Sequence, residues 1–368
     1  MRKHFADRGK VKSAKRRFLD LLTLLFSLFT LHCPVATSTG VIVAERVFSG
    51  IQPTGLVHIG NYLGAIRAWV DLQHRYESFF CIVDYHAITV PYDPHEMQRN
   101  IFEAAVINIA AGLDPNAATI FVQSHVPEHT ELAWLLNCIT PMGRLSHMTQ
   151  FKEKAKLYPE EVNVGLFDYP VLQTADILLY KAAIVPVGED QVQHIELARD
   201  IARKFNVTFG KTFPEPSARL STAARVMALN DPTRKMSKSI PGSYIAVTDP
   251  PEKVKAQIMR AVTDAGPQPG VPMSPGTSNL FVLMREFSPP ATYRRFLQEY
   301  EEGTIRYSEM KKVLAEDVAA ALAPIREARE RLVAKPDFIH DVLREGARKA
   351  SLIARRTMVE VKLKMGLI

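Results

Sequence analysis

Two short stretches of this chain carry residue types that suit chemistry on phosphate groups. The first, residues 48–66, has the pattern of a strand end, a tight turn rich in glycine and proline, and a helix that begins around His58, Gly60 and Asn61. The start of a helix after a glycine turn leaves several backbone N–H groups pointing outward, and such groups bind phosphate well. The same residues also form ordinary turns, so this stretch alone leaves both interpretations open.

The second stretch is Lys235–Ser239, with the sequence KMSKS, which lies between residues that favour turns. A loop of this kind can bring two ammonium groups to a triphosphate and neutralise the charge that develops as pyrophosphate leaves. Short charged loops are also common on solvated surfaces. The choice between these two interpretations of the loop therefore depends on the rest of the chain.

An acidic residue, Asp176, stands among apolar residues in the stretch from Tyr169 to Tyr180. This stretch predicts a helix with Pro170 in its first turn. A carboxylate on a mostly buried helix needs a partner, because an unpaired one is costly to remove from water. The partner is either a basic side chain or an N–H group of a ligand, and the sequence leaves this choice open.

Other polar residues follow apolar strands. The segment Asp84-Tyr85-His86 closes one predicted strand, where His86 either faces a ligand or is satisfied by the backbone. The segment 184–194 predicts a strand, a loop and the start of a helix. Gly188 allows close approach of the backbone, while Asp190 and Gln191 can cap the helix or reach ribose hydroxyls.

These residues must be positioned by regular elements, and from Arg46 onward apolar strands alternate with helical stretches. The pattern predicts strands at Arg46–Ile51, Phe79–Asp84 and Thr119–Gln123, and helices at His58–Tyr76, Pro94–Ala111 and after Pro127. Such alternation predicts parallel strands covered on both faces, which is a doubly wound, Rossmann-like α/β domain. Ligands of such sheets bind beyond the carboxyl ends of the strands, where the first phosphate-binding stretch lies.

The composition limits the number of domains and the kinds of binding site that the chain can have. A length of 368 residues with 47% apolar content predicts two domains. The net charge of +7 is mostly local, because residues 1–47 hold nine of the 46 basic and three of the 39 acidic residues. The remainder carries about +1, so a polyanion site must depend on local charge placement. Cys33, Cys81 and Cys138 are widely spaced, which argues against a disulfide framework, a zinc site or an iron–sulfur cluster.

The first 45 residues form a basic leader with an apolar run at residues 21–31 and small residues at 36–40. This run is too short to span a bilayer as a helix, which needs about 20 residues. Three interpretations remain: a signal peptide, an organellar transit peptide, or a translation start that truly lies near Val43. No stable membrane association is expected of the mature protein.

The separated motifs together resemble a known family. HIGN at 58–61 followed by KMSKS at 235–239 is similar to the signature pair of class I aminoacyl-tRNA synthetases. GIQPTG before HIGN, DYHAIT, TQFKEK at 149–154, ADILLY and VPVGEDQ narrow the resemblance to bacterial or organellar tryptophanyl-tRNA synthetases. The likeness extends from about Val47 to the C-terminus. It implies ATP-dependent activation of L-tryptophan and its transfer to tRNA-Trp, in a homodimer.

The resemblance also implies roles for individual residues. It implies that catalysis depends on His58, Asn61, Lys235, Lys238 and Ser239. It implies that ATP, carried with Mg²⁺ and no dedicated protein metal site, contacts Gln52, Pro53, Thr54, Gly60, Asn61, Gly188, Glu189, Asp190, Val226, Lys235, Met236, Ser237, Lys238 and Ser239. It implies that tryptophan contacts Asp176, Gln173, Tyr169, Gln191, His86, Phe48 and Gly50. Gln173 replaces a methionine common in the family, and its amide either supplements Asp176 or faces away.

The expected organisation has three parts. Residues 1–45 are a targeting leader, disordered or removed; residues 46–240 are the Rossmann-like catalytic domain ending in the KMSKS loop; and residues 241–368 are a C-terminal α-helical domain that binds the tRNA anticodon. An ATP-using enzyme has little use outside a cell, so organelle import, into a mitochondrion or plastid, is the expectation. If the leader is a misassigned start, a cytoplasmic location follows. A tyrosyl-tRNA synthetase and a catalytically inactive RNA-binding paralogue remain as alternatives.

Overall fold

The computed structural model describes residues 45–157, 160, 162–220, 225–237, 240–268 and 270–368. The leader apart from residue 45, and with it Cys33, lies outside the described residues, and so do Lys238 and Ser239 of the KMSKS motif. Residues Ala44–Ile368 form one compact unit. The predicted division of this unit at residue 240 stays a prediction.

The centre of the described chain is a five-stranded parallel sheet. Its strands are β1 Arg46–Ile51, β2 Glu77–Ile82, β3 Ala118–Val122, β4 Ile184–Val187 and β5 Ser217–Leu220, in the order β3-β2-β1-β4-β5. This confirms the predicted doubly wound fold. Because the chain proceeds outward from β1 to β2 and β3 and then returns to the other side of β1, the strand order reverses between β1 and β4. That reversal is where open α/β sheets bind ligands.

The first eight helices of the described chain, α1 to α8, cover both faces of this sheet. Helix α1 runs through Ile59–Asn61, Tyr62–Ile66 and Arg67–Leu72, and its middle segment is a π-helix. The others are α2 Asp84–Ala87, α3 Pro94–Ala110, α4 Glu128–Asn137, α5 Met142–Ser146, α6 Thr149–Leu157, α7 Val164–Leu179 and α8 Val192–Phe209, with short 3₁₀ turns at Gln123–His125 and Glu189–Gln191.

The remaining helices are α9 Pro251–Met259, α10 Pro275–Phe287, α11 Pro290–Glu301, α12 Tyr307–Val333 and α13 Pro336–Met365. Helix α13 lies against the edge strand β3 so closely that a Cβ on Gly346 would fall 1.8 Å from the carbonyl oxygen of Ile120. Glycine is therefore required at this contact, and the helix covers a strand edge that is otherwise open to pairing. In the part of the chain that the structure describes, no helix has both the length and the apolarity to span a membrane.

The two faces of the sheet build two apolar clusters, because successive strand residues point to opposite sides. Phe80 packs on Trp69 of α1 on one face, with ring centroids 5.0 Å apart. On the other face, Phe48 and Phe79 stack on Tyr180, which follows α7, at 5.6 and 4.8 Å. This second, aromatic cluster holds the C-terminal end of α7 against the sheet.

Three predicted boundaries were wrong. Helix α1 ends at Leu72 rather than at the predicted Tyr76. Helix α7 begins at Val164, because the side chain of Asn163 accepts the N–H of Leu166 at 2.8 Å and caps it; Pro170 therefore lies inside the helix. Strand β2 ends at Ile82 rather than at Asp84. The Asp84 carboxylate accepts the N–H groups of Tyr85 and Ser124 at 3.1 and 3.0 Å, and these bonds turn the chain into α2.

Candidate active site

A cavity of about 400 Å³ opens at the reversal between β1 and β4. Strand β1 contributes its last residues, β4 contributes Val185 to Val187, and helices α1 and α7 form the walls. All seven residues predicted to bind tryptophan lie on its lining: Phe48, Gly50, His86, Tyr169, Gln173, Asp176 and Gln191. Gly50 lies near the end of β1, where the structure has no space for a side chain, since a Cβ there would be 2.7 Å from Cγ1 of Val83.

The HIGN segment forms the N-terminus of α1. His58 is the capping residue: its Nδ1 accepts the N–H of Asn61 at 3.3 Å, and the Asn61 side chain accepts the N–H of His58 at 3.4 Å. This reciprocal cap fixes the first turn and the imidazole. The backbone of Ile59 also bonds the carbonyl of Ile245 at 2.9 Å, which ties the turn to the segment that follows the KMSKS motif.

The described part of the KMSKS segment lies beside this turn. A Cβ on Gly60 would be 3.9 Å from Cβ of Met236, a buried residue, so the two signature segments are neighbours. The Met236 N–H bonds the Val226 carbonyl at 3.4 Å, and Lys235 pairs with Met227 in an isolated antiparallel bridge. The backbone thus anchors Met236 and leaves the side chain of Lys235 about half exposed.

The remaining predicted ATP contacts are spread around the same opening. Gln52 lines the cavity, Pro53 is buried and Thr54 is exposed at the turn before α1. Val226 is buried beneath the KMSKS segment. The backbone carbonyl of Ser237 accepts a hydrogen bond from the hydroxyl of Ser243.

The loop after β4 carries an ion pair to Lys235. The Lys235 ammonium lies 3.4 Å from Oδ1 of Asp190, and both side chains are substantially exposed. Partial burial acts to raise the pKa of Asp190, but the charge of Lys235 and a hydrogen bond from Gln191 outweigh it, so the pKa is lowered. Gly188 lets the Asp190 side chain fold back, since a Cβ there would be 2.8 Å from the same oxygen. Glu189 between them is exposed.

Asp176 lies at the floor of the cavity with only 1% of its surface exposed. Its Oδ1 accepts from Nε2 of Gln123 at 2.7 Å and from Nδ1 of His129 at 2.6 Å, and its Oδ2 is 2.7 Å from Nε2 of His86. His129 in turn contacts the Tyr180 hydroxyl at 2.8 Å. The partner that the sequence required is therefore a set of three side chains.

These contacts govern the charge of the carboxyl group. Burial acts to raise the pKa of Asp176, but attraction to His86 and the hydrogen bonds from His129 and His86 lower it to about 2. The group is thus an ionised acceptor in a buried place. A carboxylate has about four acceptor positions, and the three protein contacts leave about one of them unused.

The structure answers the question that Gln173 left open. Its Nε2 donates to Oε1 of Gln191 at 3.4 Å, so the amide faces the loop after β4 rather than Asp176. Tyr169 lies on the same side of α7, and its hydroxyl is 2.8 Å from Nε2 of His194. The cavity therefore has an acidic floor at Asp176 and an amide-lined side at Gln173 and Gln191.

Sequence reasoning missed several lining or supporting residues, among them Gln123, His129 and Gln150. Gln123 follows β3 directly, so the rule that polar residues after parallel strands share one edge could have found it. Gln150 falls within the TQFKEK motif. His129 carries no local signal, because its contact with Asp176 spans 47 residues. In the described ranges, no group of three or more His, Cys, Asp or Glu side chains is arranged to hold a metal ion.

The fold, with two signature segments meeting at the strand reversal, defines a nucleotide-using α/β enzyme. The profile of the tRNA synthetases class I (W and Y) matches residues 44–323. The chain belongs to this family, and it is an aminoacyl-tRNA ligase of class I.

Individual relatives point to one branch of the family. The chain is 49% identical over 330 residues to the tryptophan–tRNA ligase of Caldanaerobacter subterraneus subsp. tengcongensis, covering 88% of this chain and 99% of that protein. It is 45% identical to the tryptophan–tRNA ligase of Gloeobacter violaceus, covering 88% and 97%. The structure is similar to that of tryptophanyl-tRNA synthetase from Campylobacter jejuni complexed with ADP and tryptophan, with a TM-score of 0.76, 38% identity, and coverage of 88% and 100%. The predicted resemblance is confirmed, and these relatives are bacterial.

Proposed function

We propose that this enzyme activates L-tryptophan with ATP and transfers it to tRNA-Trp. The observation that carries the proposal is the buried, ionised carboxylate of Asp176, which lines the cavity and has about one acceptor position that its three protein partners leave unused. An indole presents one N–H group at the edge of a large apolar ring. The cavity offers the matching acceptor beside the aromatic residue Phe48.

This acceptor favours tryptophan over phenylalanine for a physical reason. A phenyl ring has no donor, so binding it would leave the acceptor of Asp176 cut off from water and unpaired. Sites built to hydrogen-bond a substrate reject analogues that lack the group by roughly 10⁴- to 10⁵-fold. Tyrosine can donate its hydroxyl, so ring size and depth complete the choice against it.

At the other end of the substrate, the α-ammonium group is assigned to Tyr169 and Gln191. Gln191 lines the cavity with Oε1 turned toward Gln173, which places an acceptor on that side. This arrangement holds the tryptophan carboxylate toward the mouth of the cavity. The HIGN and KMSKS segments lie at the same end of the sheet.

The reaction needs no covalent protein intermediate. A carboxylate oxygen of tryptophan attacks the α-phosphorus of ATP, and the bond to the bridging oxygen breaks as pyrophosphate leaves with the electron pair. A ribose hydroxyl of the terminal tRNA adenosine then attacks the tryptophanyl carbonyl, and AMP leaves. Mg²⁺ enters as part of the ATP substrate, held mostly by phosphates and water. The protein contributes position and charge.

The proposed roles follow the two signature segments. His58 and Asn61, fixed by their reciprocal cap, contact the phosphates through the helix N-terminus. Lys235 supplies positive charge as pyrophosphate departs. Lys238 and Ser239 are proposed to act with it.

The experiment is ATP–pyrophosphate exchange with tryptophan, tyrosine and phenylalanine. We expect exchange with tryptophan and at least about 10³-fold less with the other two. Exchange driven by tyrosine would replace the proposal by the tyrosyl alternative. No exchange with any amino acid, together with retained tRNA binding, would favour the inactive paralogue; the presence of both Asp176 in the cavity and Lys235 beside the loop after β4 argues against that outcome.

We further propose that the enzyme serves organellar translation. The first 43 residues precede the family match and are rich in Lys and Arg with few acids, as in transit peptides. Imaging of the full-length protein with a C-terminal tag tests this proposal. Organelle fluorescence that is lost when residues 1–42 are removed supports it, and diffuse fluorescence of the full-length protein contradicts it.

We propose that the helical part from residue 241 onward binds the tRNA anticodon and that the enzyme is a homodimer. Helix α13 carries many exposed basic side chains, which suit a polyanion.

Successive helices α4 and α5 expose Trp134 and Met142 by 69% and 74%, and large exposed apolar side chains are typical of protein interfaces. Light scattering of the wild type and of Met142→Glu tests the dimer, which we expect the substitution to weaken.

A further inference from the structure

The first residues of the KMSKS segment belong to a short antiparallel hairpin, residues 226–236. Met227 and Lys235 face each other across it. The hydrogen bonds that close the hairpin, at 2.9 and 3.4 Å, are made by the residues on either side of this pair, which are Val226, Ala228, Arg234 and Met236. In such a pair the N–H and C=O groups of the two facing residues point away from each other. The backbone groups of Met227 therefore point out of the hairpin and need partners elsewhere.

Asn279 of α10 supplies both partners. Its Oδ1 accepts the N–H of Met227 at 2.9 Å, and its Nδ2 donates to the Met227 carbonyl at 3.0 Å. The residue is buried, with 4% of its surface exposed. An amide offers an acceptor and a donor at one end, so this side chain takes the place of a neighbouring strand.

We propose that Asn279 is a positioning residue for the activation of tryptophan. By holding Met227 on both sides of its backbone, it fixes the strand that lies opposite Lys235 in the hairpin. It thereby sets the point from which the Lys235 side chain reaches the phosphates of ATP. Asn279 itself does not line the cavity.

Helix α10 is a closely packed support for this amide. Gly276, less than one turn before Asn279, lies directly on the chain that follows α9, since a Cβ there would be 2.4 Å from the carbonyl oxygen of Val262. The Val262 N–H in turn bonds the carbonyl of Leu229 at 2.9 Å, next to the hairpin. The outer edge of the hairpin is thus attached to α10 directly through Asn279 and indirectly through Val262.

The side chain of Lys235 needs this support because its own contacts are weak. It is 54% exposed, and its ammonium group is 3.4 Å from Asp190, which is long for an ion pair. A lysine carries its charge on a flexible stem of four carbons, so the place of its backbone decides which positions the ammonium group can reach. A misplacement of about 1 Å can lower a rate by about 10²-fold.

The direct test replaces the amide by an apolar side chain of similar size. Asn279→Leu removes both bonds, and we expect it to lower kcat for tryptophan-dependent ATP–pyrophosphate exchange about tenfold. The loss must be smaller than the roughly 10²-fold expected when the charge of Lys235 is removed altogether. The KM for tryptophan is expected to stay within about twofold, since Asn279 lies outside the cavity lining.

A second substitution guards against misfolding. Asn279→Ala leaves space for a water molecule that can bond the Met227 backbone, so it is expected to fold where the leucine variant does not and to lower kcat about fivefold. Circular dichroism checks the fold of both variants.

Thr277→Val is the matched control on the same helix. Thr277 is fully buried, and its hydroxyl accepts the N–H of Asp264 at 3.2 Å, a contact outside the hairpin. Its replacement removes a buried hydrogen bond with little change in shape. We expect kcat to stay within about twofold.

The inference rests on the proposed function, and a double-mutant cycle with Lys235→Gln separates the two. When the charge of Lys235 is already absent, either Asn279 substitution is expected to lower kcat by less than about twofold more, because the group that Asn279 positions is gone. A purely structural role of Asn279 predicts the same loss in both backgrounds.

Three results overturn the positioning role even if the wild type exchanges pyrophosphate normally. They are a further loss of twofold or more in the Lys235→Gln background, an unchanged kcat in both Asn279 variants, and an equal loss of kcat in Thr277→Val. Absence of tryptophan-dependent exchange in the wild type instead overturns the proposed function.

Discussion

The site uses two aspartates in opposite ways. Asp176 is 1% exposed and is held by contacts of 2.6–2.7 Å, whereas Asp190 has a side chain 42% exposed and contacts of 3.3–3.4 Å. The pKa is lowered in both, against the effect of burial, by nearby positive charge and hydrogen bonds. Asp176 makes a fixed acceptor, and Asp190 makes one that can exchange its partner.

The difference follows from what each end of the site must do. Discrimination between similar rings needs an acceptor that is costly to leave unpaired, which requires burial and fixed geometry. Neutralising the charge on a leaving pyrophosphate needs side chains that can move with this polyanion and then release it. Such side chains must be exposed to solvent. The enzyme thus places selection at the buried floor of the cavity and charge handling at exposed side chains outside the cavity lining.

The strongest test of this separation removes the buried acceptor. Asp176→Ala is expected to lower tryptophan-dependent ATP–pyrophosphate exchange by at least about 10³-fold, because it deletes the acceptor and leaves His86, Gln123 and His129 without it. Loss of one member of a buried charge network also costs about 3–5 kcal/mol of stability.

Unfolding is the competing explanation, so the less disruptive Asp176→Asn is measured alongside, with circular dichroism. Asp168→Asn is the matched control: it makes the same change on the same helix, at a residue whose carboxylate accepts from Asn137 and does not line the cavity. Normal tryptophan activation by either Asp176 variant would rule out the assignment of this pocket.

The second test acts on the exposed side. Lys235→Gln is expected to lower the rate of exchange by about 10²-fold, because it removes a charge that acts on the leaving group. The dissociation constant for tryptophan alone is expected to stay within about twofold, since Lys235 does not line the cavity. Lys255→Gln on α9, also an exposed lysine, is the control. A parallel loss of tryptophan affinity would show that the two ends are not separate.

The third test uses acid. Because the pKa of Asp176 is lowered to about 2 from an ordinary value of 3.8, its charge stabilises the folded state fully above pH 3.8, and this contribution is lost as the pH falls toward 2. The contribution is about 2 kcal/mol. Asp264, whose pKa is also about 2, acts in the same pH window.

The measurement must therefore compare variants with the wild type. Urea unfolding of the wild type and of Asp176→Asn between pH 5 and pH 2 is expected to show a stability difference that shrinks by about 2 kcal/mol. Asp190 is substantially exposed, so Asp190→Asn is expected to run parallel to the wild type to within about 0.5 kcal/mol. Parallel curves for Asp176→Asn and the wild type would mean that the buried network does not hold an ionised carboxylate.

Much of the fold was predictable because it depends on local patterns. Alternating strands and helices, the glycine turn before His58 and the apolar run of β2 all follow from periodicity and turn residues. The start of α7 was missed because a proline at position 170 suggested a first turn, while the amide of Asn163 caps the helix earlier.

The candidate site was predictable only where motifs marked it. Asp176 required a partner on energetic grounds, but the identity of that partner depended on His129 and Gln123, which tertiary packing brings to it from distant positions. The direction of the Gln173 amide likewise depends on Gln191 across the cavity. The effect of replacing a glycine is equally hard to predict, since the sequence does not show which glycines lie against rigid neighbours.

The smallest expected effect on stability, that of Gly188→Ala, is best read beside Gly50→Ala at the other end of the site. Neither glycine needs an unusual backbone conformation; Gly188, for example, has φ −76°. In Gly50→Ala the new methyl group meets Cγ1 of Val83 at 2.7 Å, a buried β-branched side chain that cannot rotate away, so we expect a loss of about 1–3 kcal/mol.

In Gly188→Ala the methyl group instead meets Oδ1 of Asp190 at 2.8 Å, the end of an exposed side chain that can move. We expect the stability of this variant to change by less than about 0.5 kcal/mol, while ATP binding weakens by a few-fold because Asp190 is displaced. Urea unfolding and ATP calorimetry of both variants check the pair. Equal destabilisation by the two substitutions would mean that the loop after β4 is as tightly packed as the end of β1, and the contrast between a fixed pocket and an adaptable phosphate end would fail.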